Sequence, residues 1–211
     1  MELTERYNRI KFISEQRIWL SNASFRDALA ELAQIFVRHR ANDSFAIALL
    51  HRHLDLDPGY ALVHSSKEHG TDICRTEELG SRMIYPSAYH CGPERETMFS
   101  PFEFSSSPLP VPEDEFLIEI ATCLRQRNMC EVIAISCLSD PTQAWIETSS
   151  HDSQVTTAKV AKEKDMLSIG DYVVTEWAVL QSSEEIGLHA TKFCDDKEVG
   201  HARHNNKEIE G

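Results

Sequence analysis

Basic residues are scarce in this chain. It contains 21 Lys and Arg against 34 Asp and Glu in 211 residues, which gives a formal net charge of −13 at pH 7. No window concentrates Lys and Arg into a basic patch. An acidic surface repels the phosphates of nucleic acids and the headgroups of anionic lipids. The composition therefore predicts a protein that binds neither nucleic acid nor a membrane surface.

Long hydrophobic runs are also missing. Apolar stretches such as FAIALL are too short to span a bilayer, and the N-terminal MELTERYNRIKF lacks the apolar core of a signal peptide. We therefore expect a cytoplasmic protein whose six cysteines are reduced thiols. No Cys-x-x-Cys pair is present, which argues against a zinc ribbon and a thioredoxin-type site. The G-x-S-x-G, G-x-G-x-x-G, Walker A and H-E-x-x-H motifs are absent as well, so no enzyme class is indicated.

Apolar periodicity predicts helices over residues 4–18 and 24–37, the second beginning at a capping box formed by Ser24 and Asp27. A third helix is expected to begin at Pro112. Strands are expected in the alternating or continuous apolar segments FAIALLHRHL, YALVH, EVIAISCLS, QAWIETSS and DYVVTEWAVL.

This partial segregation of helices and strands predicts an α+β fold. A mostly antiparallel sheet would be covered by the N-terminal helices and one central helix. We expect a single domain over residues 1–181. The polar, acidic residues 182–211 are predicted to form a C-terminal tail that is either clipped by a metal ion or disordered.

Histidines follow the apolar run FAIALL. His51 and His53 would share one face of a strand, because side chains alternate along a strand. A turn at Pro58-Gly59 would place His64 opposite His53, although a register shift of one residue would move it to the other face. Imidazole binds zinc, copper, nickel and iron. His51, His53 and His64 are the first candidate metal site; alternatively, one of these histidines is a general base, or the strand simply ends at the surface.

The segment HATKFCDDKEVGHARH offers a second candidate. Thiolate and imidazole are ligands that zinc accepts, and a metal ion would order so polar a segment. The spacing matches no standard zinc finger, and a frayed C-terminus is the alternative. The candidate ligands in this segment are His189, Cys194, His201 and His204.

Two carboxylates interrupt apolar strands. Glu147 in AWIETSS and Glu176 in VVTEWAV could be acids, bases or ligands, or could lie on the exposed side of the sheet. Cys123, Cys130 and Cys137 are predicted to be small buried apolar residues.

Four segments together resemble a group of uncharacterised proteins from filamentous fungi. They are FAIALLHRHLDLDPGYALVH, the PSAYH…FSPFEF region, QAWIETSS and KFCDDKEVGHARHN, and the similarity extends from about residue 40 to the end. The group has an LLHxH strand, a Trp-Ile/Val-Glu strand and a C-terminal end with Cys and His. The resemblance implies an intracellular fungal protein associated with specialised metabolism, and it implies no catalytic residues.

Three hypotheses about function follow. The first is a metal-binding protein or metal-dependent enzyme that acts on a small molecule, with zinc or another divalent transition metal as cofactor. The second is a metal-free accessory protein that binds a small molecule or a protein partner. The third is a structural subunit of an oligomer. Ten histidines in 211 residues favour the first hypothesis.

Overall fold

The computed structural model describes residues 3–68, 71–92, 99–138, 140–150, 152–162, 172–183 and 185–195. Ten strands account for most of the regular structure. Their bounds are β1 Phe45–Leu49, β2 Tyr60–Glu68, β3 Thr71–Glu78, β4 Tyr85–His90, β5 Ser100–Ser105, β6 Ile133–Cys137, β7 Trp145–Ser150, β8 Val155–Val160, β9 Tyr172–Gln181 and β10 Ile186–Asp195. The helices are α1 Leu3–Asn8, α2 Ile13–Gln16, α3 Ala23–Arg38 and α4 Asp114–Gln126, with 3-10 turns at Arg17–Ser21 and Ala41–Asp43.

The strands form a closed barrel. Their order around it is β1-β6-β4-β5-β2-β3-β8-β7-β10-β9, and β9 pairs back onto β1. The pairs β2–β5 and β7–β10 are parallel and the other neighbours are antiparallel. The predicted α+β fold, an antiparallel sheet with a central helix packed on it, is therefore wrong. Closure removes the sheet edges, and neither closure nor the two parallel contacts can be seen in local periodicity.

The predicted hairpin between FAIALLHRHL and YALVH does not form. Strand β1 ends at Leu49, before both histidines, and it pairs with β6 and β9. Strand β2 pairs with β3 and β5. The chain between β1 and β2 crosses from one part of the barrel to another, so no hairpin register fixes His53 against His64.

The predicted polar tail begins inside the sheet. Residues 186–195 form β10, which lies between β9 and β7. The predicted domain boundary after residue 181 would separate β9 from β10, which are hydrogen-bonded to each other. Polar side chains of β10, such as Lys192, contact buried groups of other strands, and this explains why the segment resembles a solvated tail. Residues 196–211 lie outside the described part of the chain.

Helices α3 and α4 cover one side of the barrel. Phe36 of α3 meets Phe116 of α4 edge to face with centroids 5.0 Å apart, and both rings are buried with Ile47 of β1. Helix α3 begins at Ala23, where the side chain of Asn22 caps the helix by accepting a hydrogen bond from the Ser24 amide at 2.8 Å. Among the described residues, no helix has the length and apolarity needed to cross a bilayer.

A second apolar cluster includes α1. Tyr7 of this short helix and Ile10, which follows it, pack with Leu54 and Leu62. The Tyr7 hydroxyl accepts a hydrogen bond from the amide of His53 at 3.2 Å. This contact holds the segment after β1, which contains both His51 and His53, against the barrel.

Small residues leave room for polar side chains in the barrel. Ala48 is the Cα partner of Glu176, and Ala158 is the Cα partner of both Asp72 and Glu147. Side chains of paired residues point to the same face of a sheet. Each alanine therefore leaves space beside a carboxylate, and this arrangement allows a group of charged side chains to be buried together.

Candidate metal centre

Three buried side chains form a group that could hold a metal ion. They are His51, His53 and Cys194, and one potential ligand atom from each lies within 4.8 Å of the others. Ligand atoms around a tetrahedral zinc ion lie roughly 3.3–3.8 Å apart, because the metal–ligand bonds are about 2.0–2.3 Å long. Side-chain adjustments of about 1 Å would bring the three atoms into this range.

His51 is held in the tautomer that a metal ligand needs. Its Nδ1 donates a hydrogen bond to the carbonyl oxygen of Leu49 at 2.8 Å, which leaves Nε2 with a free lone pair. This Nε2 is buried and has no hydrogen-bond partner within the described residues. Burial, and then the neighbouring His53, lower the pKa of His51 to about 4, so its imidazole is neutral near pH 7. Metal binding requires the neutral form.

His53 is oriented by neighbours on other strands. Its Nδ1 shares a hydrogen bond with the hydroxyl of Ser149 in β7 at 3.1 Å. That hydroxyl in turn shares a hydrogen bond with Thr156 of β8 at 3.1 Å. The Nε2 atom of His53 lies 3.9 Å from Glu103 Oε1. The hydrogen bond to Ser149 therefore orients the ring.

Cys194 and Glu147 lie on adjacent strands. They are Cα partners in the parallel pair β7–β10, and both side chains are buried. Glu147 interacts electrostatically with His51. Burial is the main reason that the pKa of Glu147 is raised, although Lys192 opposes it. A metal cation bound by the histidines would favour the ionised carboxylate of Glu147.

A chain of charges connects these histidines to His64. The second oxygen of Glu103, Oε2, lies 3.3 Å from His64 Nε2, and His64 Nδ1 lies 3.3 Å from Asp72 Oδ2. Burial disfavours the imidazolium form of His64, but the neighbouring Cys74 and the hydrogen bonds to Asp72 and Glu103 outweigh it. The pKa of His64 is therefore well above its ordinary value. In turn, His64, His53 and Lys192 overcome the effect of burial and lower the pKa of Glu103 to about 2.

Lys192 is the second cation of this group and is partly buried. Its Nζ lies 3.0 Å from Glu176 Oε2 and 4.0 Å from Glu147 Oε1, and the two carboxylates overcome burial to raise its pKa. Glu176 also accepts hydrogen bonds from Ser136 at 2.6 Å and from Thr191 at 3.0 Å. A register irregularity between Ala190 and Lys192 explains how two consecutive residues of β10 reach one carboxylate.

His64, Asp72, Glu103 and Lys192 border a pocket of about 280 Å³. Serine hydroxyls and a few apolar side chains complete its wall, and the buried hydroxyl of Ser87 has no partner within the described residues. This volume lies just below the range of about 300–1,000 Å³ that is typical of ligand pockets, so any ligand must be small. Its lining residues are His64, Asp72, Ser87, Glu103, Ser105, Ser107, Leu109, Ser136, Cys137, Leu138 and Lys192.

The group that the structure brings together combines residues from both candidate metal sites predicted from the sequence. His51 and His53, from the first set, join Cys194, from the second. His64 is not in this group, and instead shares the carboxylate of Glu103 with His53. His189 is exposed on β10, and His201 and His204 lie outside the described residues.

Sequence reasoning missed Asp72, Glu103 and Lys192. Glu103 had a detectable pattern, because a carboxylate within FSPFEF interrupts an aromatic segment in the same way as Glu147 interrupts AWIETSS. Lys192 had no such pattern, since KFCDD resembles a polar tail.

Comparisons with protein-family models, with curated proteins and with solved structures find no match to this chain.

Proposed function

We propose that this protein binds a divalent transition metal, zinc being the first choice, through His51, His53 and Cys194. The observation that favours this most is the buried Nε2 of His51, which lacks a partner within the described residues and belongs to the same group as a second imidazole and a thiol. Leaving such an atom unpaired is costly, and a metal ion would satisfy it. Mixed nitrogen and sulfur ligands suit zinc.

The proposed centre is of the catalytic type. Among the described residues the group offers three protein ligands, which would leave a fourth position of a tetrahedral zinc ion open for water or a substrate, whereas structural zinc sites usually have four protein ligands. Glu103 lies between His53 and the pocket, and its ionised carboxylate can accept hydrogen bonds from a bound molecule. We therefore propose a metal-dependent enzyme that acts on a small molecule held in the pocket.

We also propose a cellular location for the protein. All six cysteines are free, as expected for a protein in a reducing compartment, so we propose a cytoplasmic location. The resemblance to fungal proteins of specialised metabolism stays a prediction.

Metal content tests the metal proposal directly. Untagged protein purified without chelator would be analysed by inductively coupled plasma mass spectrometry, before and after reconstitution with zinc. We expect close to one metal ion per chain, and loss of that ion in the His51→Ala/His53→Ala double variant. The matched control is His189→Ala, which removes an exposed histidine of β10. Failure of the wild type to retain any metal after reconstitution would refute the proposal.

A metal-free small-molecule-binding protein is the second candidate. The observation that favours it is the pocket itself, whose charges are already paired: His64 with Asp72 and Glu103, and Lys192 with Glu176. Such a pocket can bind a polar molecule without a metal. Mass spectrometry of small molecules retained from a cell extract tests this candidate. Retention by metal-stripped wild type, and loss in the pocket-filling variant Ser105→Trp, would favour it over the metal enzyme.

A further inference from the structure

Two thiols outside the metal centre lie against each other. Cys130 Sγ donates a hydrogen bond to Cys91 Sγ, and the sulfur atoms are 3.3 Å apart. Cys91 directly follows β4, and Cys130 lies in the connection between α4 and β6. The pairing of His90 with Ala134 joins β4 to β6, so the sheet itself holds the two cysteines close together.

The surroundings make the two thiols unequal. The hydrogen bond from Cys130, assisted by the charge of Arg125, lowers the pKa of Cys91 to about 7 against the effect of burial. The same hydrogen bond and burial raise the pKa of Cys130. Cys91 is therefore the partly ionised, nucleophilic thiol, and Cys130 holds the proton. Cys91 is almost completely buried, whereas Cys130 is partly exposed, so only a small oxidant has easy access to the pair.

We infer that Cys91 and Cys130 form a redox-active dithiol that a small hydroperoxide converts to a disulfide. The Cys91 thiolate attacks one oxygen of hydrogen peroxide, the O–O bond breaks, hydroxide leaves and Cys91 becomes a sulfenic acid. Cys130 then attacks the Cys91 sulfur, the S–O bond breaks, and the hydroxyl leaves as water with the Cys130 proton. The peroxide is reduced and the two thiols are oxidised together.

The geometry requires little movement for the second step. A disulfide bond is about 2.05 Å long, so the sulfur atoms must approach each other by roughly 1.3 Å. The resulting bond would close a loop from the end of β4 to the connection that precedes β6. Such a cross-link restricts the unfolded chain, and so the oxidised form should resist thermal unfolding better than the reduced form.

Peroxide titration of the reduced full-length chain tests the inference. The remaining thiols would be alkylated at timed intervals, and peptide mapping would identify linked and modified cysteines. We expect a peptide that links Cys91 to Cys130, formed about tenfold faster than oxidation of the buried thiols of Cys74 and Cys123. A reducing dithiol should reverse the linkage. Oxidation of the wild type without this linked peptide would overturn the inference.

Variants assign the two roles. In Cys130→Ser, the sulfenic acid on Cys91 should persist and be trapped by dimedone, because the resolving thiol is gone. In Cys91→Ser, the fast phase of thiol oxidation by peroxide should disappear. Cys123→Ser, which removes a buried thiol of α4, is the matched control and should behave like the wild type. A fast phase that survives in Cys91→Ser would contradict the assignment, and the wild-type peptide map remains decisive if a variant fails to fold.

Discussion

The imidazole rings of His51 and His53 meet edge to face, with centroids 4.7 Å apart and an angle of 68° between their planes. Both rings are buried, so two imidazolium ions at this distance would repel each other with little solvent screening. Burial and this repulsion keep His51 neutral. Near pH 7 the lone pair of His51 is therefore not occupied by a proton, and it is available to a metal ion.

Removal of the His51 ring should abolish tight zinc binding. Partners that only orient a ligand typically contribute 10–100-fold to metal affinity, so the loss of a ligand in His51→Gln should cost at least about 100-fold. Competition with a chromophoric chelator measures this change. His189→Gln is the control for the loss of a histidine, and it should bind zinc like the wild type. Equal affinities of wild type and His51→Gln would exclude His51 as a ligand.

Zinc should stabilise the fold. A ligand that binds only the folded state adds about 2.7 kcal/mol to the free energy of unfolding when its free concentration is 100 times the dissociation constant. Urea unfolding with buffered zinc should show this increase, and EDTA should remove it. The His51→Ala/His53→Ala variant should show no increase. If zinc lowers the stability of the wild type instead, the ion binds the unfolded chain better than the folded one.

Removal of the Lys192 ammonium should destabilise the protein strongly, because its partner Glu176 is buried. Lys192→Met leaves Glu176 and Glu147 without their cation, and an uncompensated buried charge typically costs about 3–5 kcal/mol. Chemical denaturation measures the loss, and Lys159→Met, at an exposed position of β8, is the control. The double variant Lys192→Met/Glu176→Gln should recover part of the stability. A loss in Lys192→Met no larger than in the control would show that the charges are solvated.

His64 should make stability fall as pH rises. Its pKa is raised in the folded state, so its contribution is complete below the unfolded value of about 6.5. That contribution is lost as the pH rises from there through the folded pKa. Unfolding measured between pH 6.5 and 8.5 on metal-free protein should show this decline, and His64→Gln should show a smaller slope. A steeper decline in the variant would mean that the sign of the His64 shift is wrong.

The sequence predicted single elements better than their arrangement. Helix α3 and the apolar strands β1, β6 and β9 were found, because their buried faces have clear periodicity. Strand β10 was missed because Lys192, a polar residue, has its partners within the barrel. The buried carboxylates Glu147 and Glu176 likewise depart from the usual rule that polar side chains mark the exposed side of a strand.

The part of the site that depends on local spacing could be predicted from the sequence, and the part that depends on the closure of the barrel could not. His51 and His53 are two residues apart, so local spacing was enough to pair them. Cys194 joins them from the far end of the chain, and only closure of the barrel through β10 brings it there. His64 was assigned to the same site because a hairpin was expected, yet β2 pairs with β3 and β5.

The most direct test of the metal centre is a cobalt(II) titration of metal-free protein, followed by absorption spectroscopy. Cobalt(II) replaces zinc in mixed nitrogen and sulfur sites, and a thiolate ligand adds a charge-transfer band in the near ultraviolet. We predict saturation at one ion per chain, with tetrahedral visible bands and the thiolate band. Cys194→Ser should lose the thiolate band, whereas Cys123→Ser should keep it. A wild-type spectrum without any thiolate band would contradict a centre formed by His51, His53 and Cys194.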